Sequence, residues 1–264
     1  MQGVGLQTGG SVTLTMKGSP ANSGINFIRT DLPNKPLLNL QSLNLEDTAS
    51  AERRTTLGIG PLQIQTTEHL LAAVAALAID NIVIELDGLE LPGMDGSARD
   101  FLAALKKAGI AEQDAPKKII QPKETLWCGA GESLLAIFPD DQFRVSYTLS
   151  YPGIGVQFFT GIVNEATFEK DIAPARTFCS EAEAMELIQR GLGKGANYEN
   201  TLVMGKAGPV NTTLRFPDEP VRHKVLDLIG DLYLAGAQIK GHVVGIKSGH
   251  RLNMELVKKI KGLI

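Results

Sequence analysis

Four histidines stand at positions 69, 223, 242 and 250, and three of them fall in the last fifth of a 264-residue chain, where scattered surface decoration would not put them. In PVRHKVLDLIGDLYLAGA, His223 and Asp227 are four residues apart, a spacing that on a helix stacks two side chains over one face and lets them grip one ion. The same stretch places Val221, Val225, Leu228, Leu232 and Ala235 at intervals of four and three along an apolar face, so His223, Lys224, Asp227 and Asp231 share the other. The dipeptide Glu68-His69 supplies what is missing: His69 completes a His, His, Asp set, and Glu68 reaches a bound water as general base. A set of three protein ligands leaves a coordination position open, which is the catalytic form of a zinc site, where water acidifies to a pKa of about 7 and a carbonyl is polarised. Lys247-Ser248-Gly249-His250 follows an apolar strand, and from a strand-end loop His250 can protonate a leaving amine.

By pattern alone these residues fit plainer roles as well. Glu68 and His69 also suit a simple helix start, His223 to Asp231 a solvated helix face, and His250 a loop histidine with no task. His242, between Gly241 and Val243 at a strand start, reads as structural. The run GLGKG at 191–195 follows a helix and lacks the GxxxxGK[ST] spacing of a phosphate loop, so it reads as a mobile loop. Cys179, a single cysteine next to Phe178 in no recognisable nucleophile pattern, reads as packing.

The elements that must position these side chains fall into two similar halves. In the first, SVTLTMKG and NFIRTDL alternate as strands, and RRTTLGIGPLQIQTT folds as a hairpin around Gly58 to Pro61. Thr66 or Thr67 caps a helix over EHLLAAVAALAI, DNIVIELDG is a buried strand, and Ser97 with Asp100 caps SARDFLAALKKAG, which Gly109 stops. In the second, ETLWC, ESLLAIF, FRVSYTLSY and VQFFTGIV are strands. Two helices follow, one opened by Ser180 and Glu183 and one bearing His223, and then the strand HVVGIKSG. The polar stretch AGIAEQDAPKK at 108–118 separates the halves. This pattern predicts an α+β fold of two domains, 1–113 and 117–264, with both histidine-bearing helices aimed at a shared cleft.

Composition bounds the chemistry further. With 26 Lys and Arg against 29 Asp and Glu, net −3, there is no broad basic field to hold nucleic acid. Two cysteines, Cys128 and Cys179, make neither a disulfide framework nor a thiolate-only zinc site, which points to a reducing compartment. The longest apolar run, Leu70 to Ile79, is well short of the roughly 20 residues of a membrane span. No targeting peptide is visible in the first ten residues, so the expectation is a cytoplasmic protein, and with no heptad or exposed apolar stripe a monomer.

Seven segments, GVGLQTG (3–9), TTEHLLAA (66–73), DNIVIE (80–85), MDGSA (94–98), ARTF (175–178), RHKVLDLIGDL (222–232) and IKSGHRLN (246–253), span nearly the whole chain. In this order and spacing they resemble the UDP-3-O-acyl-N-acetylglucosamine deacetylase family, the zinc amidases of the committed step of lipid A biosynthesis. The resemblance implies two sheets, each carrying two helices, with the helices sandwiched between the sheets and the active site at the interface. It implies zinc on His69, His223 and Asp227, a donor set that Fe(II) also accepts. It further implies Glu68 as base, His250 as acid, Thr177 on the oxyanion, Asp231 behind His250, and Lys224 and Phe178 on the substrate. The segment at about 179–211 would form the passage for the acyl chain. Two departures stand out: Gln7 replaces a usual family histidine, and Met1 lies two residues before GVGL, where the family has a further strand, so either the start is alternative or truncated or the first sheet lacks an edge strand.

Overall fold

The structure, a computed structural model, describes residues 1–47, 49–51 and 54–263. The first half contains β1 (Gln2–Val4), β2 (Ser11–Gly18), β3 (Ile25–Arg29) and β4 (Leu37–Asn39). A small sheet of β5 (Ala49–Ala51), β6 (Arg54–Leu57) and β7 (Ile64–Gln65) follows, then α1 (Glu68–Ala76), β8 (Ile82–Leu86) and α2 (Arg99–Ala108). Alternation drives the strands: β2 buries Val12 and Leu14 while Ser11 and Thr15 face water, and β8 buries Ile82, Ile84 and Leu86. These strands form a five-stranded sheet ordered β1-β2-β8-β3-β4, in which only β3 and β8 run parallel.

Residues 109–118 contain no helix or strand and lead into the second half. There β9 (Ile119–Ile120) is followed by β10 (Leu126–Ala130), β11 (Ser133–Phe138), β12 (Phe143–Tyr151) and β13 (Gly155–Ile162), and by the single turn α3 (Glu165–Thr167). Next come β14 (Thr177–Ser180), α4 (Glu181–Gln189), β15 (Thr201–Gly205) and β16 (Gly208–Pro209). The chain ends with α5 (Glu219–Leu232), β17 (Gln238–Ile239), β18 (Gly241–Ile246) and α6 (His250–Lys261). The second five-stranded sheet is ordered β10-β11-β18-β12-β13, again with one parallel pair, β12 with β18. The two sheets thus share strand order and direction, which is the repeat expected from the sequence.

Between the halves lie the helices. α1 is apolar all round, so it can only be stable in the interior, and Glu68 through Val74 are buried. It packs on α2 and α5, while α5 packs on β12, β13 and α6, and one continuous apolar core runs from Val12 and Phe27 to Val145 and Val257. Only Arg222 and Lys224 of the fourteen residues of α5 escape full burial, so the His223 to Asp231 face is interior and not a solvated one.

Several expectations need correction. His250 is not in a loop but opens α6, a further helix in the second half whose Leu252, Leu256, Val257 and Ile260 are buried. Ser97 does not cap α2: Ala98 holds that position, and the Ser97 hydroxyl donates to Asp95 Oδ1 at 2.6 Å while accepting from the Arg99 amide. Thr67 stands at the start of α1 without a side-chain capping bond, because capping needs an extended backbone that Thr67 does not have, and Thr66 donates to Glu90 instead. At the edge of the first sheet, β1 pairs Gln2 to Val4 with Ser11 to Thr13. The hairpin of β6 and β7 forms as expected, although Arg53 at its head lies outside the described residues. The Ser180 and Glu183 capping box on α4 is present in full.

Candidate metal and catalytic site

Three helices deliver the site. The first turn of α1 carries Glu68 and His69, two turns of α5 carry His223, Lys224, Asp227 and Asp231, and the first turn of α6 carries His250. Asp227 Oδ1 lies 3.3 Å from His223 Nε2 and 3.7 Å from His69 Nε2, and the two imidazoles meet edge to face with centroids 5.0 Å apart. The Nδ1 of His223 donates to the Ala175 carbonyl at 3.0 Å, which leaves its Nε2 with a free lone pair. Lys224 Nζ donates to Asp227 Oδ2 at 2.8 Å, while Oδ1 is buried with no hydrogen-bond partner.

An orphaned carboxylate oxygen flanked by two imidazole nitrogens suits a divalent cation, and the three ligand atoms lie within 4.8 Å of one another. The electrostatics agree. Burial, and then the charge of His223, push His69 down to about 3, and burial lowers His223 too, so both rings are neutral at pH 7, the form that can hold a metal ion. Burial works against ionised Asp227, but His223 and Lys224, with His250 and His69, hold its carboxyl well below the usual range. Burial also opposes the Lys224 ammonium, yet Asp227 and Tyr147 keep it charged and above the ordinary lysine value.

A second trio of ligand-type atoms, from Glu68, Asp227 and His250, shares Asp227 with the first. Burial raises Glu68; His250 opposes that shift, and the charges of Asp227 and Asp231 add to it. Burial disfavours the His250 imidazolium, but the charge of Asp231 and a 2.7 Å hydrogen bond to its Oδ2 outweigh this and raise His250 to about 9. The cluster therefore sets a carboxyl made basic by its surroundings beside an imidazole kept protonated, a pairing suited to moving protons in opposite directions.

Of the remaining expected residues, Phe178 borders the cluster, its ring 6.2 Å from that of His223 and 5.2 Å from that of Tyr151. Thr177 precedes it on β14, held there by its amide donating to Gly96 O at 2.8 Å. Gln7 accepts from the Gly193 amide at 3.2 Å, and the Leu6 and Gln7 carbonyls take the amides of Gly195 and Lys194, so GLGKG is clasped by the N-terminal loop. His242 lies on β18 with Nε2 2.8 Å from Ser146 Oγ, away from the cluster, and Cys179 is buried.

Sequence reasoning missed two residues. Thr55 Oγ1 donates to Asp231 Oδ1 at 2.5 Å, and Asn253 Nδ2 donates to Asp231 Oδ2 at 2.8 Å. Asn253 is three residues after His250, a signal readable once α6 is recognised as a helix. Thr55 carries no such signal.

Comparison with known proteins gives the family. A family model described as LpxC, UDP-3-O-acyl N-acetylglycosamine deacetylase, matches residues 1–262. The chain is 41% identical over 263 residues to the UDP-3-O-acyl-N-acetylglucosamine deacetylase of Bdellovibrio bacteriovorus, covering 98% of this chain and 86% of that one. It is 41% identical to the protein of that name from Myxococcus xanthus, covering 98% and 83%. To that from Chlamydia abortus it is 40% identical over 262 residues, covering 98% and 92%. Likeness of this extent, running through every element that builds the cluster, makes this chain a member of the UDP-3-O-acyl-N-acetylglucosamine deacetylase family.

Proposed function

We propose that the chain hydrolyses the acetamide of UDP-3-O-acyl-N-acetylglucosamine to the free amine and acetate, the committed step of lipid A biosynthesis, with zinc held by His69, His223 and Asp227. The observation that carries this reading is the unpartnered Asp227 Oδ1 between two imidazole nitrogens, beside Glu68 and His250. A divalent cation there supplies Lewis acidity, lowering the pKa of water and polarising the amide carbonyl. Glu68 takes the proton of the attacking water, and the Thr177 hydroxyl faces the oxygen on which negative charge develops. His250, backed by Asp231, gives a proton to the nitrogen as the C–N bond breaks, so the amine leaves neutral. Lys224 and Phe178 contact the substrate, and the segment from about 179 to 211 borders its acyl chain. In this reading 1–113 and 117–264 are two domains that meet at the site. Glu-His on α1 differs from the HExxH of zinc peptidases, which favours the amidase over a peptidase.

The test is deacetylation of a UDP-3-O-acyl-N-acetylglucosamine by purified protein before and after chelation, with metal content read on the same sample. Activity is expected to fall with chelator and return with zinc. Absence of turnover in protein that carries one zinc per chain would overturn the reading.

A further inference from the structure

Resting on that reading, we propose that Thr55 is a positioning residue for the acid–base pair: its hydroxyl fixes Asp231 and the ring of His250 with Nε2 turned toward the metal-ligand cluster. Thr55 is almost wholly buried on β6, and four of its contacts converge on the site. Its Oγ1 lies 2.5 Å from Asp231 Oδ1 and 3.2 Å from His250 Nδ1. Its amide donates to Glu68 Oε2 at 3.2 Å, and its carbonyl accepts from the Thr66 amide at 3.0 Å, two residues before Glu68. One residue from the small sheet thus touches the base on α1, the carboxylate on α5 and the imidazole on α6.

Proton accounting gives these contacts a direction. A hydroxyl has one proton and two lone pairs. The short distance to Asp231 Oδ1 assigns the Thr55 proton to that carboxylate oxygen, so a lone pair of Oγ1 faces His250 Nδ1. Asp231 Oδ2 accepts from the same Nδ1 at 2.7 Å and from Asn253 Nδ2 at 2.8 Å. Both oxygens facing Nδ1 are acceptors, so Nδ1 carries a proton, and Nε2, 3.9 Å from Asp227 Oδ2, is the nitrogen that exchanges protons with substrate. Without the hydroxyl, Oδ1 of a fully buried carboxylate loses this donor, and the carboxylate is free to turn and take the ring with it.

Thr55→Val keeps the shape and removes the hydroxyl; Thr55→Ser keeps the hydroxyl. In zinc-loaded protein, T55V is expected to lower kcat about 10- to 100-fold, with KM and metal content unchanged. T55S is expected to restore most of the rate. The second readout is the 15N spectrum of the His250 ring, recorded above its value of about 9 where the ring is neutral: wild type and T55S show the proton on Nδ1, and T55V shows a mixture of tautomers. If T55V does not fold, T55A against T55S makes the same comparison. A folded T55V with wild-type kcat, a loss confined to KM, or an unchanged His250 spectrum overturns the proposal. If wild type itself does not deacetylate, the functional reading fails, while the ring spectrum still decides the role of Thr55.

Discussion

Gly230 of α5 lies directly against the main chain of Glu68 in α1, so close that a Cβ on Gly230 would stand 2.0 Å from the Glu68 carbonyl oxygen. This contact falls between Asp227 and Asp231 on one helix and at Glu68, next to His69, on the other, so the separation of the helices there sets the spacing of the proposed ligands. Because the obstacle is backbone, a side chain cannot be absorbed by a rotamer change. Gly230→Ala is expected to destabilise the protein by about 1–3 kcal/mol and to reduce metal retention, measured by urea unfolding and by metal analysis after dialysis. Wild-type values for both would show that this contact does not fix the ligand spacing.

Metal holding and proton transfer are assigned to different residues, and substitution separates them. Glu68→Gln and His250→Ala are expected to retain zinc while turnover falls by about 10²- to 10⁴-fold. His223→Ala, which removes a ligand, is expected to lose metal and activity together. Inductively coupled plasma analysis beside steady-state kinetics makes the distinction, and full activity in either of the first two variants would sink their assigned roles.

The α5 face was legible in the sequence because apolar intervals of four and three sort a helix into two faces, and Glu68-His69 because two such residues open an otherwise apolar helix. Burial of both faces was not legible, since a polar helix face looks alike whether it meets water or a second set of charged groups. Ser97 missed its expected capping role because α2 starts with Ala98 at the cap position, and the Ser97 hydroxyl instead links Asp95 to the Arg99 amide, a shift of one residue that spacing does not reveal. α6 was hidden by its polarity: five of its twelve residues are Lys, Arg, His, Glu or Asn before the last turn's Lys259 and Lys261 are counted, so His250 read as the end of a strand loop and Asn253 was lost with it. Thr55 reaches Asp231 across 176 positions, and nothing in a hydroxyl's sequence neighbourhood announces such a contact.

Asp95 gives a pH prediction away from the ligands. Burial raises its carboxyl, but hydrogen bonds from Ser97 and Arg215 and the charges of Arg215 and Arg99 outweigh this and hold it below the ordinary aspartate value. A carboxyl lowered on folding contributes stability that is present above its unfolded value of about 3.9 and is lost as pH falls through its folded one. Asp95→Asn is therefore expected to be less stable than wild type at neutral pH, by a difference that shrinks below about pH 4. Urea unfolding across that range is the check, and a difference that persists unchanged into acid would contradict it.

Arg176 and Glu219 anchor the strand that carries Thr177. Glu219 is fully buried and accepts from Arg176 Nε at 2.9 Å, from Arg176 Nη2 at 3.2 Å, and from the amides of Arg176 and Arg215 at 3.0 and 2.6 Å. Removing one member strands the other charge in the interior, so Glu219→Ala is expected to cost about 3–5 kcal/mol. An exposed pair makes the control: Lys17 lies 2.7 Å from Glu85 with its side chain 55% accessible, and Lys17→Ala is expected to cost about 0–1 kcal/mol. Because Arg176 adjoins Thr177, any Glu219→Ala protein that still folds should also lose kcat, since Thr177, the proposed oxyanion donor, shifts with its strand. Equal stability losses for the two variants would mean that the Arg176 and Glu219 pair is replaced by water on substitution and does not lock β14 to the start of α5.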